Sequence, residues 1–266
     1  MRTRYLQIAL AVSALGPAAL AIGFIAQAGW AAATWPFETG QLSNLFLGSI
    51  LAAIAVATLW VSATADWGAL GASALFPLLM LIGLATFVAP LSFGADDPGG
   101  LLFAAACAAG ALYSLALMLA GARCELLDQR SVPRLVRASF AVFALVLIAA
   151  GVALVFGAQN VIPWSAGPES LAIFGLIFLG ASSSYVYGAV RSVWGYAYAP
   201  LLGFLVYDLV LLPPLIASFP DVAPEQRTSL IVYVAVLAYS GALGIYYLLI
   251  RGDTRLLARA RPGEEP

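Results

Sequence analysis

The chain is written almost entirely in apolar runs about twenty residues long, the length a helix needs to cross ~30 Å of hydrocarbon. Of its 266 residues, 63% are hydrophobic and 9% are charged, where a soluble domain carries about 25%. The pattern predicts an all-α, polytopic membrane protein with eight transmembrane helices. They fall at about 5–28, 42–63, 69–90, 101–121, 138–157, 170–190, 196–218 and 229–250. The first run opens with Arg2 and Arg4 and contains a cleavage-like triplet, Ala19-Leu20-Ala21. It continues past that triplet, so it is read as a retained helix.

Charge placement supports the count. Arginine-rich loops face the cytoplasm. Eight spans put Arg2, Arg4, Arg123, Arg130, Arg134, Arg137, Arg191, Arg251, Arg255, Arg259 and Arg261 at one end, and only Arg227 at the other. The opposite end carries Glu38, Asp96, Asp97, Glu169, Asp221 and Glu225. The expected location is the inner (plasma) membrane, multi-pass, with both termini cytoplasmic. Trp30, Trp35 and Trp164 fall toward the outer edge, and Trp60, Trp67 and Trp194 toward the inner, where headgroups accept indole rings.

One segment has an echo. Residues 35–67 align with 162–194 at a shift of 127 without a gap. Pro36 meets Pro163, Gly40 meets Gly167, Ser43 meets Ser170, Gly48 meets Gly175 and Trp67-Gly68 meets Trp194-Gly195. The expected organisation is two parallel four-helix repeats, residues 1–127 and 128–250, followed by a cytoplasmic tail, 251–266. Each repeat has an even number of spans, so the two enter the membrane in the same direction.

Absences narrow the chemistry. There is no His, which removes imidazole-ligated haem and His-based metal sites. Every basic residue is Arg, which removes a lysine Schiff base. Cys107 and Cys124 are separated by ~25 Å of helix and cannot pair with each other. The net charge of −1 offers no surface for phosphate neutralisation, so nucleic acid is not an expected partner. No P-loop, nucleophile elbow or metal cluster is present, and no cofactor is implied.

Asp208 is the anomaly. It lies ~15 Å inside the seventh span by helical rise, where a carboxylate is costly and must face the protein interior with a partner or a proton. No Arg shares its depth. Tyr239 and Ser240 on the eighth span fall at its level, and Ser182, Ser183, Ser184 and Tyr185 on the sixth lie somewhat deeper. Tyr207 is its neighbour in sequence but points elsewhere around the helix. The candidate small-molecule site is therefore Asp208, Tyr239, Ser240, Ser182 and Tyr185. Pro213-Pro214 and Pro200 add kinks and free carbonyls to the same span. The segment around Arg191, with Tyr185, Tyr187, Tyr196 and Tyr198, reads as an aromatic belt or as a headgroup or quinone-like pocket.

Three functions fit this pattern. One is a small-molecule transporter or binding protein with a midplane site near Asp208. Another is a non-catalytic accessory or scaffold subunit, with Asp208 as glue between helices. The third is an intramembrane enzyme acting on a lipid or isoprenoid. The lipid bilayer is the expected partner, joined by a small-molecule ligand or another membrane subunit.

Overall fold

The computed structural model describes residues 2–255. Among them the chain is helical throughout, and its one β feature is an isolated bridge between Ser131 and Val193. Eight helices are long and apolar enough to cross a membrane. They are α1 (Arg4–Ile25), α2 (Gln41–Thr64), α3 (Trp67–Ala95), α4 (Pro98–Gly121), α5 (Arg134–Val155), α6 (Pro168–Arg191), α7 (Trp194–Ala217) and α8 (Pro224–Ile250). This is the architecture of a multi-pass membrane protein. Most of the tail expected at 251–266 lies outside the described residues.

Several helices overrun their apolar runs. α3 starts as a 3₁₀ turn at Trp67–Ala69 and continues to Ala95. α4 starts at Pro98 because the Asp97 carboxylate caps it, accepting from the Gly99 and Gly100 N–H groups at 3.0 Å each. Capping satisfies helix-end amides that hydropathy does not register. Two breaks fall where proline dictates. The helical path is interrupted at Ala14 and Ala74, three residues before Pro17 and Pro77. A proline ring removes one amide donor and crowds the preceding turn. α7 carries Pro200, Pro213 and Pro214 without interruption.

α2 and α6 are the innermost spans, with 56% of each apolar window buried against 22–39% for the other six. α2 packs on α1 and α7, and α6 packs on α5 and α3. α4 backs α3 and α8 backs α7. The result is an inner set of α2, α3, α6 and α7, each supported by one outer helix. Glycine permits two of the closest approaches. A Cβ on Gly48 would lie 2.8 Å from Ile25 Cγ1, and one on Gly175 would lie 2.6 Å from the Gly151 carbonyl oxygen. Small residues let backbones meet where lipid supplies no hydrophobic drive between helices. Phe46 fills the space between α2, α6 and α7, with Phe174, Phe178 and Tyr207 ring centroids 4.8, 5.6 and 6.1 Å away.

Side chains and loops tie each end. At the acidic end, Trp164 donates to Ser43 Oγ at 3.1 Å and Ser170 donates to the Glu38 carbonyl at 3.4 Å. At the arginine-rich end, the α4–α5 loop lies across the α2–α3 and α6–α7 turns. Leu127 N–H donates to Asp66 Oδ1 at 3.2 Å, and Trp194 and Gly195 N–H donate to the Arg130 and Asp128 carbonyls at 2.7 and 3.1 Å. Both turns are left-handed, at Ala65 (φ 55°) and Ser192 (φ 53°). Arg130 pairs with Asp128 at 2.5 Å, bonds the Tyr198 hydroxyl at 3.0 Å and reaches the Asp253 carbonyl. Tyr198 in turn donates to Asp128 Oδ2 at 3.1 Å. That loop therefore staples three segments and the start of the tail.

Candidate functional site

Asp208 is 3% exposed, on the face of α7 that meets α8. Its Oδ2 accepts from Ser240 Oγ at 2.8 Å, and its Oδ1 has no partner. A Cβ built on Gly241 would lie 3.3 Å from Oδ2, so α8 presses directly on the carboxyl. The carboxyl is sealed in a helix–helix contact. A buried polar oxygen without a donor is expensive, of order 1–3 kcal/mol, and such atoms are few in native folds.

Tyr185 is buried and stacked on Phe204, centroids 4.5 Å apart at 24°. Phe204 lies one helical turn from Asp208 on α7. Ser182 is buried but donates to the Leu179 carbonyl of its own helix at 2.7 Å. Tyr239 is 45% exposed, and its hydroxyl shares a 2.7 Å bond with Ser139 on α5. Adjacent helix positions differ by about 100°, so only one of Tyr239 and Ser240 can face α7, and it is Ser240. The structure thus brings Asp208, Ser240 and Tyr185 into one neighbourhood and directs Ser182 and Tyr239 elsewhere.

Beside that neighbourhood lies a cavity of about 560 Å³ to which all eight helices contribute. Its lining is mostly apolar and contains no charged side chain, and Asp208 is not part of it. Ser184, Tyr185, Tyr207 and Tyr233 form one hydroxyl-bearing wall, and further polar side chains, among them Tyr113, Ser114 and Asn160, lie elsewhere on the lining. The Tyr207 and Tyr233 hydroxyls bond each other across α7 and α8. The hydroxyls of Ser184 and Tyr185, residues 8% and 6% exposed, have no hydrogen-bond partner among the described residues. Pro17, Pro77 and Pro200 also line it, as do Ser13 and Ser73, whose carbonyls the first two prolines leave without a donor.

Tyr207 and Tyr233 were not in the sequence-derived set. Their signal is helical register. Tyr233, Leu237 and Ser240 share the face of α8 that meets α7, where Tyr207 adjoins Asp208. A volume of this size, apolar with a few convergent polar groups, is typical of small-molecule sites. Among the described residues, no group of His, Cys, Asp and Glu is placed to hold a metal ion. A second, open crevice at the acidic end lies between residues 37–43 and 165–170, with Glu38 and Glu169 on its rim. No protein-family model, curated protein or solved structure matches the chain.

Proposed function

We propose that the protein is a membrane-embedded carrier or binding protein for a small molecule, built from two parallel four-helix repeats that meet around the central cavity. Several observations support the repeat. α2 and α6 each have 24 residues, and their first and last positions are both offset by 127. α3 and α7 each begin on Trp, and each turn before them has one left-handed residue, Ala65 and Ser192. Helix partners also correspond, with α1 on α2 as α5 on α6, and α2 on α7 as α6 on α3. Cavity-lining residues pair at the same offset, among them Thr58 with Tyr185, Pro77 with Phe204 and Met80 with Tyr207. Tyr185 and Tyr207 stand where the first repeat has Thr58 and Met80, so the two repeats present different chemistry to the cavity. Arginine segregation supports a plasma-membrane orientation with both termini cytoplasmic.

The observation that carries the functional reading is the cavity itself, with unpartnered hydroxyls on one wall. Asp208 stands behind Tyr207 and sets the α7–α8 contact. The test is Gly203→Leu. Gly203 lines the cavity, and its nearest obstacle to a Cβ is Ala53 Cβ at 3.6 Å, so the larger side chain projects into empty space. Native mass spectrometry of protein in lipid nanodiscs should show a bound small molecule that Gly203→Leu removes. An identical bound population in both proteins defeats the reading.

The sealed Asp208 favours a second reading, a scaffold subunit in which the carboxyl only joins helices. In that case Gly203→Leu changes nothing, and a partner membrane subunit co-purifies with both forms.

A further inference from the structure

We infer that the cavity takes a neutral, carbonyl-bearing lipophile, and that this ligand arrives sideways from the bilayer through a window between α5 and α8. The inference rests on the binding-protein reading and adds the ligand's chemistry and its route.

The route follows from packing. α5 and α8 are both outer helices, one backing α6 and the other backing α7, with little contact between them. Two bonds bridge the gap, one near mid-depth and one at the acidic end. Tyr239 meets Ser139 at 2.7 Å in the first, and Ser229 donates to the Asn160 carbonyl in the second. Between those bridges the cavity wall is formed by Val146 and Ala150 on α5 and by Val232 and Val236 on α8. Val146 and Val232 are 45% and 56% exposed although both line the cavity. Helical rise places these residues ~8–18 Å from the acidic end of the bundle, at hydrocarbon depth. An opening at that depth with an apolar rim faces acyl chains rather than water.

The ligand's chemistry follows from the lining. No Asp, Glu or Arg reaches the cavity, so a charged ligand would lose its hydration with nothing to replace it. The polar wall offers donors. Tyr207 and Tyr233 use one hydroxyl proton in their mutual bond and keep the other, and Tyr185 and Ser184 keep theirs. Donors aimed into an apolar space suit a carbonyl oxygen, and the aromatic rings of Tyr185, Phe204 and Phe143 beside them suit a flat or unsaturated head. An isoprenoid quinone and an uncharged acylglycerol both present this chemistry.

Photolabelling separates the possibilities. The probe is an alkyl-tailed benzophenone, a neutral aryl ketone, added to protein in phosphatidylcholine nanodiscs, with adducts mapped by peptide mass spectrometry. Saturable adducts on cavity residues are expected. Val232→Trp, with Ala150→Leu as an independent plug, should slow labelling roughly tenfold, as a narrowed gate does. Tyr207→Phe combined with Tyr233→Phe should raise the half-saturating concentration roughly five- to tenfold for the lost donor. Competition by a decyl benzoquinone but not by dioctanoylglycerol points to a quinone source, and the converse to a glyceride. Saturable cavity labelling that neither plug slows overturns the window while the binding reading stands. Equal competition by benzophenone-4-carboxylate overturns the neutral-ligand claim. Absence of saturable cavity adducts overturns the binding reading itself.

Discussion

Trp164 donates its indole N–H to Ser43 Oγ at 3.1 Å, joining the α5–α6 loop to the first turn of α2, and both residues are buried. Ser43→Ala strands a buried N–H and should cost about 1–3 kcal/mol, read as a lower unfolding midpoint in detergent. Trp164→Phe should cost less when added to Ser43→Ala than when made alone, because donor and acceptor then leave together. Strict additivity of the two would mean that the bond contributes nothing.

Across the α7–α8 contact the partners are unequal. Ser240 also donates to the carbonyls of Val236 and Leu237 at 3.0 and 3.1 Å, so it keeps partners without Asp208. Asp208 has Ser240 alone. Ser240→Ala should therefore destabilise by about 1–3 kcal/mol, while Asp208→Asn, which keeps an acceptor for Ser240, should fold as the parent does. Adding Asp208→Leu to Ser240→Ala should recover most of the loss, since a buried polar group without a partner is replaced by an apolar one. The readout is the thermal midpoint of the set. A Ser240→Ala protein as stable as the parent would remove Asp208's dependence on that hydroxyl.

The spans were legible because lipid imposes a length and a composition on them. The polar site was legible only in part. Depth follows from counting residues, which found Asp208 and Ser240. Direction around the helix does not, and Tyr239, one step from Ser240, turns toward Ser139. The same step separates Tyr207 from Asp208, and there the discounted residue is the one that meets the cavity. A void has no sequence signature of its own. It arises from how eight helices fail to fill the space between them, and apolar residues line it as readily as they line a packed core. The helix ends were missed where a side chain or a turn sets them, as Asp97 does for α4.

Asp66 and Asp128, both at the arginine-rich end, should respond to pH in opposite directions. Burial raises Asp66 above its ordinary value of 3.8, outweighing the Leu127 and Ala69 amides, and Asp128 adds to the rise. Burial also raises Asp128, but hydrogen bonds from the Arg130 side chain and backbone, with the Tyr198 hydroxyl, outweigh it and hold Asp128 below 3.8. A raised carboxyl favours the fold below its unfolded value and loses that contribution as pH rises through its folded value. A lowered one favours the fold above the unfolded value and loses it as pH falls through the folded value. Asp66→Asn, which keeps an acceptor for Leu127, should raise the midpoint near neutral pH, with the gain vanishing as the pH approaches 3.8. Asp128→Asn should lower the neutral-pH midpoint, with the loss shrinking only below that value. Thermal midpoints across acid and neutral pH decide it, and parallel curves for parent and variants would remove the linkage.

Ala65 closes α2 in the left-handed region at φ 55°, a conformation that a Cβ makes unfavourable. Glycine holds it without strain, although it also gives the unfolded chain more freedom to lose. Ala65→Gly should stabilise by about 0.5–1 kcal/mol if the strain dominates. Ser192 occupies the same conformation at φ 53° after α6, but its hydroxyl donates to the Ala189 carbonyl at 3.0 Å. Ser192→Gly relieves the same strain and forfeits that bond, so its midpoint should rise less than that of Ala65→Gly or not at all. Both measurements belong in one detergent at one pH. A fall in midpoint on Ala65→Gly would mean that the unfolded chain's added freedom outweighs the strain relieved at Ala65.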